Sequence, residues 1–307
     1  MILSTLSNKK AGRFGGLALA ALSPLALSAC AGSSAPSSTS SSTAKGSGPL
    51  TLLYAGSLVG AMENVIGPAF KTATGYTLNG TPGGSIGLAN EIKSKLVRPD
   101  VFVSAVPSVN SSLEGSSNGG FVSWYSPLAT APLVIGYNPA SKFAAALKAQ
   151  PWYKVLAEPG FKLGRTDPAI DPKGALTLKL VQQEAAALNQ AKLVSEILGT
   201  PENPAQVFPE ETLVARLLTG QLDAGFFFSN EAALAKIPTI KTGLSLGANF
   251  TITIVNGAPH RAAAEAFVKF LYSKQGQSLM KGLSLKTEAP SVVGNVSEVP
   301  KGLSSVL

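Results

Sequence analysis

The feature that most constrains the fold is an alternation, from residue 49 onward, of short apolar runs with segments of helical periodicity. In the first half, apolar runs at 52–55, 76–78 and 101–104 are separated by helical segments at 58–72 and 86–97. Strands that alternate with helices build sheets whose two faces are covered by helices. The sequence therefore predicts an α/β fold that begins with a βαβαβ unit.

The second half continues the same alternation. The further predicted strands are 133–137, 161–164, 207–208 and 224–228, and the further predicted helices are 173–188, 191–198 and 211–219. Alternate apolar residues at 250, 252 and 254 predict another strand. Ala264, Phe267, Val268 and Leu271 then recur at helical spacing and predict a buried helix face within 260–272. Segments 105–120 and 199–206 are predicted to be surface loops by composition.

The N-terminus has the pattern of a bacterial export signal. Three basic residues within the first 13 precede a short apolar segment at 17–29, too short to span a bilayer. Residues 27–30, Leu-Ser-Ala-Cys, resemble the lipobox of bacterial lipoproteins, in which the cysteine is acylated. We therefore predict a signal peptide over 1–29, lipidation at Cys30, and a Ser-rich tether over 30–48. Removing the signal lowers the formal charge from +8 to +5.

Composition excludes several kinds of chemistry. The 307 residues include one cysteine and one histidine, so an intrachain disulfide, a cysteine zinc cage and a His-rich metal site are excluded. Basic residues do not cluster with aromatic residues, which argues against nucleic-acid binding. We expect no cofactor.

Four polar side chains stand at predicted strand-to-helix junctions, where free backbone N–H groups favour anions. They are Ser57, Ser85, Asp171 and Glu210. Each one alone is explained better by helix capping, with Ser57, Ser85 and Asp171 as caps and Glu210 favourably placed in a first turn. Two lie in each half of the chain, as expected if a ligand is held between two lobes.

Two catalytic interpretations compete with this one. Residues 83–87, Gly-Gly-Ser-Ile-Gly, match the nucleophile elbow of serine hydrolases, and Asp223 and His260 follow in the required order. Two features argue against the hydrolase interpretation. Pro82 is expected to interrupt the strand that a nucleophile elbow requires, and His260 is expected to begin a surface helix. Asp171 and Glu210 could also form a general acid and base pair. A cell-envelope scaffold without a ligand remains a third class.

Five segments together resemble the molybdate/tungstate-binding proteins of ABC importers, and the resemblance covers residues 50–285. They are Leu-Tyr-Ala-Gly-Ser-Leu at 53–58, Gly-Ser at 84–85, Asp-Val-Phe-Val-Ser-Ala at 100–105, Thr-Asp-Pro-Ala-Ile-Asp-Pro-Lys-Gly at 166–174 and Ala-Pro-His-Arg at 258–261. The 166–174 run, followed by Pro-Glu at 209–210, is typical of the tungstate-type branch.

This resemblance implies a two-lobed, periplasmic-binding-protein-like (type II) fold in which each lobe is a mixed β-sheet flanked by helices. Lobe 1 would contain 49–128 plus 245–307, and lobe 2 would contain 129–244. It also implies a monomer that is not an enzyme, that captures molybdate or tungstate outside the membrane, and that delivers it to a permease and its ATPase. Phosphate or sulfate remains an alternative ligand.

The resemblance also assigns the site. Ser57 and Ser85 would bind the oxyanion from lobe 1, and Asp171 and Glu210 from lobe 2, where the two carboxylates would ligate the metal atom directly. Secondary candidates are Gly56, Gly84, Lys173, Glu211 and Phe228. Among these, Lys173 and Phe228 depart from the family, which commonly has a small residue and a tyrosine there, and Glu211 is the alternative to Glu210.

Overall fold

The computed structural model describes residues 45–307, which belong to one compact unit over Ala44–Leu307. The predicted signal peptide, Cys30 and most of the tether lie outside the described residues. The last tether residues, 45–48, contact the folded unit. Lys45 Nζ donates to the carbonyl oxygen of Thr72, and the carbonyl oxygen of Gly48 accepts from the backbone N–H of Thr77.

The strands of the described part have the following bounds: β1 Pro49–Ala55, β2 Thr77–Gly83, β3 Val101–Ser104, β4 Trp124–Tyr137, β5 Leu163–Gly164, β6 Ala224–Phe228, β7 Thr239–Lys241, β8 Gly247–Ile254, β9 Lys286–Thr287 and β10 Val293–Gly294.

The α-helices of the described part are α1 Val59–Ala61, α2 Gly67–Thr74, α3 Ser85–Lys93, α4 Pro107–Ser111, α5 Ala144–Ala149, α6 Trp152–Leu156, α7 Pro172–Ala187, α8 Leu193–Leu198, α9 Glu210–Leu218, α10 Ser229–Leu234, α11 Arg261–Tyr272 and α12 Lys274–Gly282. A 3₁₀ turn at Gly56–Leu58 leads into α1, and a π-helical turn at Met62–Ile66 joins α1 to α2.

The strands lie in the order β2-β1-β3-β8-β4-β6-β5, and β7, β9 and β10 also pair with β4. Parallel pairs β1–β2 and β1–β3 are followed by antiparallel β3–β8 and β8–β4. β4 is the strand that connects the two parts of this arrangement. Its residues 126–132 pair with β8, whereas 133–137 pair with β6.

Both faces of the first part of the sheet are buried, as expected for strands between two helical layers. Leu52 and Tyr54 of β1 belong to the large core that also contains Phe70 and Phe267. Leu53, between them, points to the opposite face and packs with α3 and α4 residues such as Leu88. The predicted face of α11 is confirmed, because Ala264, Phe267, Val268 and Leu271 are all fully buried.

Three local predictions are wrong. Segment 105–120 is not wholly a surface loop, since it contains α4, whose Val109 and Asn110 are buried. Residues 207–208 form no strand; Val207 makes only an isolated bridge with Arg165. Pro82 does not interrupt β2, which continues to Gly83. A proline is tolerated there because β2 is an edge strand and can leave an N–H position unpaired.

Candidate functional site

The first candidate position follows β1 directly. Ser57 lies in the 3₁₀ turn Gly56–Leu58 and is 4% exposed. Its hydroxyl does not cap a helix, contrary to the sequence prediction, and its Oγ has no hydrogen-bond partner. The carbonyl oxygen of Ser57 accepts a hydrogen bond of 2.8 Å from Nδ2 of Asn230. The turn therefore presents a buried hydroxyl with free hydrogen-bonding capacity.

Ser85 occupies the corresponding position after β2. Gly84, not Ser85, is the N-cap of α3, so the prediction that the Ser85 side chain caps this helix is also wrong. Its Oγ instead accepts a 3.0 Å hydrogen bond from the backbone N–H of Ala105, at the end of β3. Because the oxygen is already used as an acceptor, the hydroxyl proton is free to be donated to a bound anion.

Asp171 does cap its helix, as predicted, with Pro172 at the first helical position. Its Oδ1 accepts from the backbone N–H of Lys173 at 2.8 Å, while its Oδ2 is buried and has no partner. The backbone N–H of Asp171 donates to the carbonyl oxygen of Asp167, closing the turn that precedes α7. One carboxylate oxygen therefore caps the helix, and the other is free to contact a ligand.

Glu210 is the first residue of α9, and its side chain is 2% exposed. Its Oε1 lies 3.1 Å from Nζ of Lys173 but has no hydrogen bond. Glu211 is exposed at the rim. The geometry thus favours Glu210 over Glu211 as the residue that faces the interior.

The structure brings the turn that carries Ser57 against Glu210, and the turn that precedes Ser85 against Asp171. A Cβ added to Gly56 would lie 2.6 Å from Oε2 of Glu210, and one added to Gly84 would lie 2.6 Å from the carbonyl oxygen of Ile170 and 3.1 Å from Cβ of Asp171. The N–H of Gly87 donates to that same Ile170 oxygen at 2.9 Å. The two glycines of the first half, Gly56 and Gly84, therefore leave room for Glu210 and Asp171 of the second half to approach.

A cavity of about 330 Å³ lies at this junction. It is lined on one side by residues 82–84 and on the other by segments 166–171 and 207–211. Thr166 lines it as well, and its Oγ1 is buried without a partner. Asp171 and Glu210 line this cavity, whereas Ser57 and Ser85 do not. The volume fits a small polar ligand.

Two participants were missed by the sequence analysis. Glu231 accepts from Lys173 Nζ with both carboxylate oxygens, at 3.0 and 3.1 Å, and from the backbone N–H of Phe228 at 2.8 Å. Asn230 is buried, and its Oδ1 has no partner. A signal was present, since Ser229-Asn230-Glu231 follows directly on the predicted strand 224–228 and repeats the pattern of a polar helix start.

Burial and neighbouring charges perturb these groups. Burial raises the pKa of Asp171 well above 3.8, and the negative charge of Glu210 raises it further. Burial also raises the pKa of Glu231. For Lys173, burial acts to lower the pKa, but the surrounding carboxylates outweigh it, and the pKa is raised. Lys173 therefore stays charged among the carboxylates, and Asp171 keeps its proton to a higher pH than an exposed aspartic acid does.

Phe228 is fully buried and packs edge-on against Phe250, with ring centroids 6.0 Å apart. The ammonium of Lys173 lies 5.8 Å from the centroid of the Phe228 ring and 5.7 Å from that of Phe227. Phe228 contributes a backbone N–H and an apolar wall to the site, and Lys173 contributes the buried charge.

The structure does not assemble the serine hydrolase triad. The carboxylate of Asp223 accepts from Ser141 Oγ at 2.6 Å and from the backbone N–H of Lys162 at 2.7 Å. His260 is the N-cap of α11, as predicted, and its Nδ1 lies 3.0 Å from Oδ2 of Asp100. Ser85 is thus paired with neither residue.

No helix within residues 45–307 combines the length and apolar character needed to cross a bilayer. Over the same range, no three His, Cys, Asp or Glu side chains are grouped as they would be around a metal ion.

Comparison with known proteins supplies the family. The model of the bacterial extracellular solute-binding protein family matches residues 50–282. The molybdate/tungstate-binding protein WtpA of Thermococcus kodakarensis is 26% identical over 238 residues, covering 61% of this chain and 67% of that protein. A putative ABC transporter molybdenum-binding protein of Haloferax volcanii is 25% identical over 183 residues, covering 59% of this chain and 57% of that protein.

Solved structures agree on the fold. The periplasmic molybdate-binding protein of Azotobacter vinelandii superposes with a TM-score of 0.59 at 19% identity, covering 77% of this chain and 98% of that one. The sulfate-binding protein SubI of Mycobacterium tuberculosis superposes with a TM-score of 0.55 at 18% identity, covering 80% and 87%. The predicted two-lobed, periplasmic-binding-protein-like fold is confirmed, while identities this low carry no ligand assignment.

Proposed function

We propose, from the premise that the chain belongs to the bacterial extracellular solute-binding protein family, that this solute-binding protein of an ABC transporter binds molybdate or tungstate. The ligand would be gripped at the junction of Ser57, Ser85, Asp171 and Glu210 and handed to the permease. The family is one of transport proteins, and we infer that the chain performs no catalysis.

The observation that carries the proposal is a set of buried oxygens without partners at one junction. Ser57 Oγ, Asp171 Oδ2 and Glu210 Oε1 are all buried and make no hydrogen bond, although Glu210 Oε1 lies 3.1 Å from the Lys173 ammonium. Leaving such groups unpaired costs about 1–3 kcal/mol each, so a ligand that pairs them recovers that free energy. The hydroxyls and backbone N–H groups suit the oxygens of an oxyanion.

The two carboxylates favour a metal oxyanion over sulfate. Two unit charges 4 Å apart interact by about 4 kcal/mol at an effective dielectric constant of 20, so a carboxylate beside an intact dianion is strongly repelled. Molybdenum and tungsten can accept carboxylate oxygens into their coordination shell, and sulfur in sulfate cannot. The names of the two relatives point to the same ligand class.

Hydrogen phosphate is the second candidate. It carries a proton that a carboxylate such as Glu210 can accept in a hydrogen bond, which removes part of the repulsion. Sulfate has no such proton at neutral pH, and it is the weakest of the three candidates.

The lobe boundaries stay a proposal. We infer lobe 1 over 49–128 plus 245–307 and lobe 2 over 129–244. In support, β4 changes partners from β8 to β6 between Pro132 and Leu133. Bending at this strand and at β8 would open the junction and admit the ligand.

The cellular arrangement is also proposed. The family is extracellular, and a lipid on Cys30 would hold the monomer at the outer face of the cell membrane by the 30–48 tether. The transporter's permease and ATPase would be its partners, with no role for nucleic acid.

A thermal-shift panel of molybdate, tungstate, sulfate and phosphate tests the proposal. A ligand present at 100 times its dissociation constant adds about 2.7 kcal/mol of stability, which is roughly a 5–10 °C rise in melting temperature at this size. We expect this for molybdate and tungstate. A rise in melting temperature with phosphate alone would show that the protein binds an oxyanion but that the ligand is phosphate. No rise with any of the anions would refute oxyanion binding.

Replacing the acids tests the site itself. The Asp171→Ala, Glu210→Ala double variant should lose the preference for tungstate over sulfate, measured as a ratio of dissociation constants by calorimetry. The matched control replaces the exposed Glu196 of α8 by alanine. An unaltered ratio of dissociation constants in the double variant would show that the two carboxylates do not contact the ligand.

A further inference from the structure

A buried ion pair lies beside the four proposed ligand residues. Nζ of Lys173 is 3.0 and 3.1 Å from the two carboxylate oxygens of Glu231 and 3.1 Å from Oε1 of Glu210. The side chain of Lys173 is fully buried and that of Glu231 is 6% exposed. The backbone N–H of Phe228 also donates to Glu231, so this carboxylate is held from two directions.

The pair determines the charge that an entering anion meets. Within residues 45–307, Lys173 is the one basic side chain within ion-pair distance of Glu210 or Glu231. Glu231 contacts the ammonium with both oxygens, whereas Glu210 makes no hydrogen bond to it. Glu231 therefore forms the hydrogen-bonded ion pair with this buried ammonium, and Glu210 adds a second negative charge 3.1 Å from it, before any ligand arrives.

An uncompensated ammonium would attract every dianion, because charge attraction does not distinguish the central atom. A neutralised ammonium offers no such general attraction. A dianion must then bind through hydroxyls, N–H groups and whatever bonds its central atom can form with Asp171 and Glu210.

We propose that Glu231 is a specificity-determining residue that acts through Lys173: by occupying the ammonium, it prevents sulfate from binding by charge alone and leaves binding to oxyanions that accept carboxylate oxygens. This inference rests on the proposed function, since it assumes an oxyanion at this junction. Glu231 positions a charge and does not itself contact the ligand.

The variant Glu231→Gln tests it. The glutamine carbonyl can still accept from the Phe228 N–H, while one of the two negative charges that contact the Lys173 ammonium is removed, which makes the site more positive by one unit. We expect sulfate affinity, measured by calorimetry, to rise at least about tenfold, and the tungstate-to-sulfate affinity ratio to fall by a similar factor. Glu196→Gln, on the exposed face of α8, is the control and should leave both values unchanged.

A second substitution separates charge from packing and remains usable if the first variant folds poorly. In Lys173→Gln, Glu210 and Glu231 both lose the ammonium that lies between them, so the affinity for both anions should fall at least tenfold. The double variant Lys173→Gln, Glu231→Gln removes both charges and should restore a tungstate preference close to that of the unmodified protein. A purely structural role for Glu231 would not produce this restoration.

The outcomes distinguish failure of the role of Glu231 from failure of the proposed function. If the unmodified protein binds selectively and Glu231→Gln has the same tungstate-to-sulfate affinity ratio, the role of Glu231 is overturned and the proposed function stays intact. The same conclusion follows if the double variant is no more selective than Glu231→Gln. Failure of the unmodified protein to bind tungstate, molybdate and sulfate refutes the proposed function and this inference with it.

Discussion

Replacing Gly84 by alanine tests whether the contact across the junction is the closed state that holds the ligand. The new Cβ would lie 2.6 Å from the backbone oxygen of Ile170, about 0.8 Å inside ordinary van der Waals contact. Gly84 has φ −61° and ψ 124°, values that alanine adopts readily. The substitution therefore acts through sterics, and the backbone atom that it meets cannot rotate away.

The magnitude follows from this overlap. Overpacking of this kind costs about 1–3 kcal/mol. If the closed, liganded state alone bears the cost, the dissociation constant for tungstate rises by a factor of about 5 to 150. The unliganded protein can relieve the contact by opening at the junction, so its melting temperature should change by less than about 2 °C.

Titration calorimetry with tungstate and a melting curve without ligand provide the assay. Gly87→Ala is the matched control, because a Cβ there would lie 3.7 Å from Cβ of Ile170, an ordinary contact. An unchanged dissociation constant in Gly84→Ala, combined with a melting temperature lowered by several degrees, would show that the contact belongs to a rigid fold. That result, or an equal loss of affinity in Gly87→Ala, would show that the Gly84–Ile170 contact does not belong to a closed, ligand-holding state.

Three further predictions concern individual side chains. Because the pKa of Asp171 is raised on folding, unliganded stability should fall as pH rises from about 4 through the folded pKa; Asp171→Asn should reduce this loss to the part that the raised pKa of Glu231 causes, measured by melting curves across pH. Ser57→Ala should weaken tungstate binding without lowering unliganded stability, whereas Ser85→Ala should lower both, the stability by about 1 kcal/mol, since its Oγ accepts from Ala105. Arg165 donates to Gln206 and to three carbonyl oxygens that anchor the loop before Glu210, so Arg165→Met should cost about 3 kcal/mol or more in denaturant unfolding and weaken binding; wild-type stability would contradict this anchoring role.

Local periodicity determined much of the fold from the sequence. The strands at 101–104 and 224–228 have the predicted bounds, and the apolar face of α11 is buried as its spacing required. The Asp171-Pro172 helix start also has the predicted capping geometry. These features can be predicted because residues close in the chain determine them. Side chains at fixed spacing share one face of a helix, and a capping side chain accepts a hydrogen bond from its own helix.

Long-range packing decided what the sequence could not. The hydroxyl of Ser85 is used by Ala105 from another strand instead of by its own helix, and β2 tolerates Pro82 because of its edge position. Whether a polar side chain caps its own helix or meets a partner depends on which distant segment reaches it.

The sequence by itself therefore determined an α/β chain with polar helix starts in both halves. Packing between distant segments placed Gly56 and Gly84 against Glu210 and Asp171, and it placed Glu231 and Glu210 around the ammonium of Lys173. Charge pairing in a buried site depends on distances of a few ångströms between residues far apart in the chain, and no local pattern encodes those distances.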